Sequence, residues 1–117
     1  MKKKLLTVTA MTALVIIFAN CNAGKKATAA APPKITYEGN VQNVVATYCS
    51  PCHIPAKGGK KKDYTTAASI KGDIDDIIRR IELNPGERGY MPFKNPKLSD
   101  STIAIFKQWK ADGFLDK

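Results

Sequence analysis

The sequence predicts an all-α domain of three main helices plus one short helix, and three observations predict it. Apolar residues recur at i, i+3, i+4 and i+7 at Val41, Val44, Val45 and Tyr48, and again at Ile74, Ile77, Ile78 and Ile81. A third, broader apolar face is carried by Ile103, Ile105, Phe106 and Trp109. Helix breakers punctuate these stretches: Pro51, Gly72, the run Asn84-Pro85-Gly86, and Gly113.

The chain has 117 residues, enough for one domain. Its formal charge is +9, but Lys2, Lys3 and Lys4 sit at the extreme N-terminus, and without residues 1–20 there remain 16 basic against 10 acidic residues, a net +6. The domain is basic, without the interleaving of basic and aromatic residues that marks a nucleic-acid surface, so nucleic acid is excluded as a partner. Hydrophobic content is 44%, part of it spent in the N-terminal segment. The core that remains is small, and domains of this size usually need a disulfide, a metal or a cofactor to stabilise them.

Residues 1–20 read as an export signal. Lys2 to Lys4 form a positive n-region, and Leu5 to Ala19 is an uncharged, mostly apolar run of 15 residues, suited to a signal and short for a membrane span. Cys21 follows directly, where a lipoprotein cysteine would sit. The local fit is loose, because Phe18 and Asn20 replace the usual Leu and small residue. Cleavage after Ala23 stays open beside lipidation of Cys21, and both remove a free thiol from the mature surface. Residues 21–34, CNAGKKATAAAPPK, lack any apolar period and read as a linker. A flexible tether of that length spans roughly 20 Å end to end. The domain proper is 35–117.

The first helix, with Asn40 as its cap, runs into Cys49-Ser50-Pro51-Cys52-His53. Two cysteines three apart with a histidine after the second make the c-type haem attachment pattern. Two thiols that add to two vinyl groups along one porphyrin edge must lie about one helical turn apart. The residue after the second can then offer an imidazole nitrogen to the iron. A Cys-x-x-Cys pair alone would be ambiguous, and the appended His53 makes it specific. One haem c per chain is expected, covalently held at Cys49 and Cys52, and its apolar faces would complete the small core.

Ile54 to Lys62 is a loop holding Pro55, Gly58, Gly59 and the run Lys60, Lys61, Lys62. The lysines fit a solvated turn, and equally a positive rim that would steer an acidic redox partner. Thr65 to Lys71 is the short helix, ended by Gly72. The next helix is capped by Asp73, with Asp75 and Asp76 in its first turn and Arg79 and Arg80 near its C-terminal end, where cations suit the dipole. The arginines fit a solvated face better than a role on haem propionates.

A Gly/Pro-rich loop between Pro85 and Pro96 carries Met91-Pro92. A lone methionine is usually a core filler. Met91, however, lies in a breaker-rich loop, and its proline biases it to extended backbone. It is also the methionine left once Met1 and Met11 go with the signal, and His53 is the chain's one histidine. If the iron takes two protein ligands, Met91 is the natural second. Ser99 then caps the last helix, with Asp100 in its first turn. Trp109 is expected to pack, against the first helix, rather than relay electrons.

In this order of parts the chain from Ile35 to Lys117 resembles the class I c-type cytochromes of exported bacterial type. In that family an N-terminal helix leads into Cys-x-x-Cys-His, a loop carries the ligating Met, and a C-terminal helix crosses the first. The resemblance implies a cytochrome c-like fold around one haem, thioether bonds at Cys49 and Cys52, and axial iron ligands at His53 and Met91. It also implies a location on the outer side of the cytoplasmic membrane, periplasmic or anchored facing the periplasm through Cys21. The family's proline carbonyl for the imidazole N–H has no counterpart at the usual spacing, since Pro55 comes two residues after His53. Which carbonyl orients His53 is left open.

Soft thioether sulfur and apolar burial both favour Fe(II) and raise the reduction potential. With both axial positions filled no site is open to substrate, so the expected function is a one-electron carrier, not an enzyme. It would act as a monomer between redox partner proteins. The competing reading is a haem peroxidase, a gas sensor or a haem subunit docked to a redox enzyme, with a labile sixth ligand in place of Met91. A zinc site from Cys21, Cys49, Cys52 and His53 would need a cysteine that export lipidates or removes.

Overall fold

Helical structure begins earlier than the first apolar stripe predicts. A computed structural model describes residues 30–117, of which Ala31–Lys117 form one unit. The export signal of residues 1–20, Cys21 and most of the linker lie outside the described residues. From Thr36 the chain enters a π-helical turn, Tyr37–Val41, that runs without a break into α1, Gln42–Tyr48. The cap is Thr36, whose hydroxyl accepts from the Gly39 N–H at 3.1 Å. Asn40, expected as the cap, lies inside the turn and its carbonyl oxygen accepts from the Thr36 N–H at 3.0 Å. The two side chains thus satisfy each other's end of one turn, as in a capping box.

Two further orphan donors of this first turn are met by the other end of the chain. Tyr37 N–H donates to the Leu115 carbonyl at 2.8 Å and Glu38 N–H to that of Asp116 at 3.0 Å. Ile35 N–H reaches the Asp112 carboxylate at 2.8 Å, and the Trp109 indole donates to the Leu115 carbonyl at 2.9 Å. Of these bonds, the two from Tyr37 and Glu38 join backbone groups that carry no residue-type signal.

The short helix and the second helix are one. α2 spans Ala67–Glu82 and is capped by Thr66, whose hydroxyl accepts from the Ser69 N–H at 3.2 Å. Gly72 lies in its interior on an exposed face, and Asp73 lies in the second turn rather than at the cap. The energetics explain the continuity. A glycine inside a helix costs about 0.5–1 kcal/mol against alanine. Each fully buried isoleucine returns about 1.5–3 kcal/mol, and Ile70, Ile74, Ile77 and Ile81 form one buried stripe across the glycine. With the helix continuous through Gly72, Ile70 falls in register with Ile74, Ile77 and Ile81 on one buried face.

α3, Asp100–Ala111, starts where expected: the Ser99 hydroxyl accepts from the Thr102 N–H at 3.2 Å. Its Ile103, Phe106 and Trp109 are buried, with Trp109 at 0% exposure. Trp109 packs on Tyr37, ring centroids 6.2 Å apart, and meets Phe114 edge-on at 5.0 Å. It is a packing residue, set against the turn that starts the first helix. Gly113, at φ +87°, follows the helix in the left-handed region that favours glycine.

The described residues form an all-helical fold of three α-helices with no strand, the one β-type contact being a single bridge between Thr36 and Leu115. Val41, Ile70, Phe106 and Trp109 centre the core. Among the described residues no helix is long and apolar enough to cross a membrane.

Candidate functional site

The motif Cys49–His53 is the turn that ends α1. Cys49 N–H donates to Val45 O at 2.9 Å, completing the helix, and His53 N–H closes back on Cys49 O at 3.0 Å. Residues 54–64 then return along the motif. Lys61 N–H donates to Cys52 O at 3.0 Å and Tyr64 N–H to His53 O at 3.1 Å. The carbonyls of Cys49, Cys52 and His53 are thereby satisfied. Within this return, Gly59 passes so close that a Cβ there would lie 2.3 Å from the Pro51 carbonyl oxygen and 2.6 Å from that of Cys52. Only glycine fits.

The carbonyl that orients His53 is that of Lys62, 2.7 Å from Nδ1. A carbonyl only accepts, so Nδ1 carries a proton, and Nε2 is the ring nitrogen left to act as a ligand. One face of the imidazole is covered by the Tyr64 ring, stacked with centroids 4.5 Å apart and planes within 8°. The Tyr64 hydroxyl donates to the Asp73 carboxylate at 2.9 Å, and the Lys62 ammonium binds the same oxygen at 2.7 Å. These bonds, from Lys62 first and Tyr64 second, hold the Asp73 carboxyl below the ordinary carboxylate range. Burial, then the bond to Asp73, pushes the Tyr64 phenol up.

The two cysteines differ in setting. Both are free thiols, Cys49 half-buried against the apolar core and Cys52 exposed. Burial pushes the Cys49 thiol up to about 11.

Met91 lies on the second long loop, half-buried against the same apolar cluster that Cys49, Ile54 and Tyr64 border. Its N–H donates to the Arg80 carbonyl at 3.2 Å, and the Arg80 guanidinium donates to the Gly89 carbonyl at 3.3 Å. Buried Tyr90 holds the far side of the loop through its hydroxyl on Asn95 O at 2.9 Å. Arg79 and Arg80 both pair with Asp76 on the surface, Arg79 exposed and Arg80 half-buried. Arg80 ties the Met91 loop to α2.

Two large apolar side chains stand exposed among the described residues, Tyr48 at 43% and Phe93 at 64%. Tyr48, expected on the buried stripe, precedes Cys49, and Phe93 follows Met91 by two. The buried face of the first helix is carried instead by Tyr37, Val41, Val44 and Val45, one turn nearer its start. Of the lysine run, Lys60 and Lys61 are exposed and free to form a rim, whereas Lys62 is engaged by Asp73. Two surface grooves, of about 270 and 370 Å³, are lined by Glu82, Lys97 and Lys107 and by Lys71, Trp109 and Phe114, with no motif residue in either lining. Among the described residues no cluster of three or more His, Cys, Asp or Glu side chains is placed to hold a metal ion.

Tyr64, Gly59 and Tyr90 have no signal in the sequence as site residues. They act through a ring stack, a backbone approach and a loop anchor that residue spacing does not encode. No protein-family model, curated protein or solved structure matches the chain.

Proposed function

We propose that this chain is an exported one-electron carrier with a cytochrome c-like fold and one covalently held haem c. The observation that carries the reading is the state of His53. It follows the two free thiols of Cys49 and Cys52, and its Nδ1 is bonded to a carbonyl while Nε2 is left as the donor. Such an arrangement suits an imidazole iron ligand, whose other ring nitrogen needs a fixed acceptor.

Cys49 and Cys52 would tether the group through thioethers, with His53 Nε2 as one iron ligand and the Met91 thioether as the other. Exposed Tyr48, next to Cys49 in the chain, and Phe93, two residues after Met91, supply apolar surface for a flat ring to cover. Bound haem c supplies reversible one-electron chemistry at its iron. The chain's own part is to hold the ligands still: Lys62 O fixes the His53 tautomer, Tyr64 limits the imidazole plane, and Arg80 fixes the backbone that carries Met91. Lys60 and Lys61 offer positive charge on the loop after the motif, suited to an acidic redox partner. Residues 1–20 and Cys21 would bring the domain to the outer face of the cytoplasmic membrane.

The test is haem retention. The chain, exported in a host with haem-attachment machinery, should keep its colour through acid–acetone extraction and stain for haem on a denaturing gel. Cys49→Ala with Cys52→Ala should abolish both. A colourless wild-type band would overturn the proposal.

A further inference from the structure

We propose that Asp73 is a positioning residue for His53: its carboxylate gathers the Lys62 ammonium and the Tyr64 hydroxyl, and so holds both groups that fix the imidazole. This inference rests on the iron-ligand role proposed for His53.

Two neighbours define the ring: the Lys62 carbonyl on Nδ1 at 2.7 Å and the Tyr64 ring 4.5 Å from its centroid. Both belong to the return of residues 54–64, which backbone bonds at Lys61 and Tyr64 tie to the motif but not to the helical core. Each is tied to one carboxylate oxygen of Asp73, Lys62 at 2.7 Å and Tyr64 at 2.9 Å. Asp73 stands on α2 between buried Ile70 and Ile74, next to Ile74, where the helix is fixed to the core. It has no capping duty, because Thr66 caps the helix. The carboxylate therefore transfers the rigidity of a packed helix to a loop, and through the loop to the imidazole.

The consequence is electronic as well as geometric. An N–H bond from Nδ1 to a fixed acceptor fixes the tautomer and makes Nε2 a stronger donor. Loosening Lys62 and Tyr64 together would weaken that donor and favour Fe(II). The reduction potential should then rise.

His53 is the single histidine of the chain, so its two ring nitrogens give two unambiguous signals in ¹⁵N NMR. In the exported chain made without haem-attachment machinery and kept reduced, wild type should show well-separated protonated Nδ1 and bare Nε2 resonances. Asp73→Leu should draw the two together, and Asp73→Asn, which keeps an acceptor for Tyr64, should fall between. Lys62→Met retains the backbone carbonyl and loses only its anchor, so it carries the same test if Asp73→Leu loses helix content. In the haem-loaded chain, Asp73→Leu and Lys62→Met should raise the potential, and Asp73→Asn should bring it back toward wild type. Unmoved nitrogen signals in a folded Asp73→Leu, or an unmoved potential in both variants, would overturn the proposal. Separated signals in a wild-type chain that never takes up haem would support the clamp while contradicting the proposed function.

Discussion

The imidazole of His53 lies flat on the phenol of Tyr64, centroids 4.5 Å apart and planes within 8°. The stack seals one face of the ring, while the phenol's hydroxyl is anchored on α2 through Asp73. Aromatic pairs of this kind contribute about 0.5–1.5 kcal/mol beyond their buried area. Tyr64→Phe should keep the stack and lose the anchor. Tyr64→Leu should lose both and lower stability by a further ~1 kcal/mol, measured as the difference between their urea midpoints.

Gly59 and Gly72 should respond to alanine in opposite directions. At Gly59 the new Cβ meets the Pro51 and Cys52 carbonyls, backbone that cannot step aside without moving the motif. Gly59→Ala should cost about 1–3 kcal/mol and lower the yield of attached haem. Gly72 has nothing within 4 Å of its would-be Cβ and sits inside α2. Gly72→Ala should therefore stabilise the domain by about 0.5–1 kcal/mol. A destabilised Gly72→Ala would contradict the single continuous helix.

The two motif thiols should react in a fixed order. With Cys49 at about 11, roughly one molecule in a thousand carries its thiolate at pH 8, and the thiolate is the nucleophile. Cys52 is exposed. Limiting iodoacetamide on the haem-free chain, followed by peptide mapping, should label Cys52 well before Cys49, and equal labelling would show that α1 does not bury Cys49.

Acid should loosen the junction between the two ends of the domain. The Asp112 carboxyl is held below the usual range first by the Ile35 N–H and then by the Gln108 amide. A depressed folded-state pKa gives stability that is fully present above the unfolded value of about 3.9 and lost as pH falls through the folded one. Asp76, held down by Arg80 and Arg79, acts in the same sense. The melting temperature should be flat from pH 7 to 5 and fall below pH 4, less steeply in Asp112→Asn.

The helical class and the motif were legible because they are written in side-chain periodicity and spacing. The stripe Ile74–Ile81 and the Ser99 cap are local signals, and tertiary packing agrees with them. Gly72 misled because a breaker's cost is local whereas Ile70's compensating burial is tertiary. The surroundings of His53 were illegible for a related reason. Lys62 contributes a carbonyl and Gly59 the lack of a Cβ, and neither shows as a residue type at a recognisable spacing. Asp73 carried the right chemistry for a cap, and only the start of the helix at Thr66 frees it for Lys62 and Tyr64.

The proposed iron site is closed by His53 and Met91. Its most direct measurement is the oxidised and reduced absorption spectrum of the exported chain, made with haem-attachment machinery, beside that of Met91→Ala. A low-spin haem is expected, whose ferric form shows the weak far-red sulfur-to-iron band, absent from Met91→Ala. A high-spin ferric spectrum in the wild-type chain, or a far-red band that survives Met91→Ala, would contradict it.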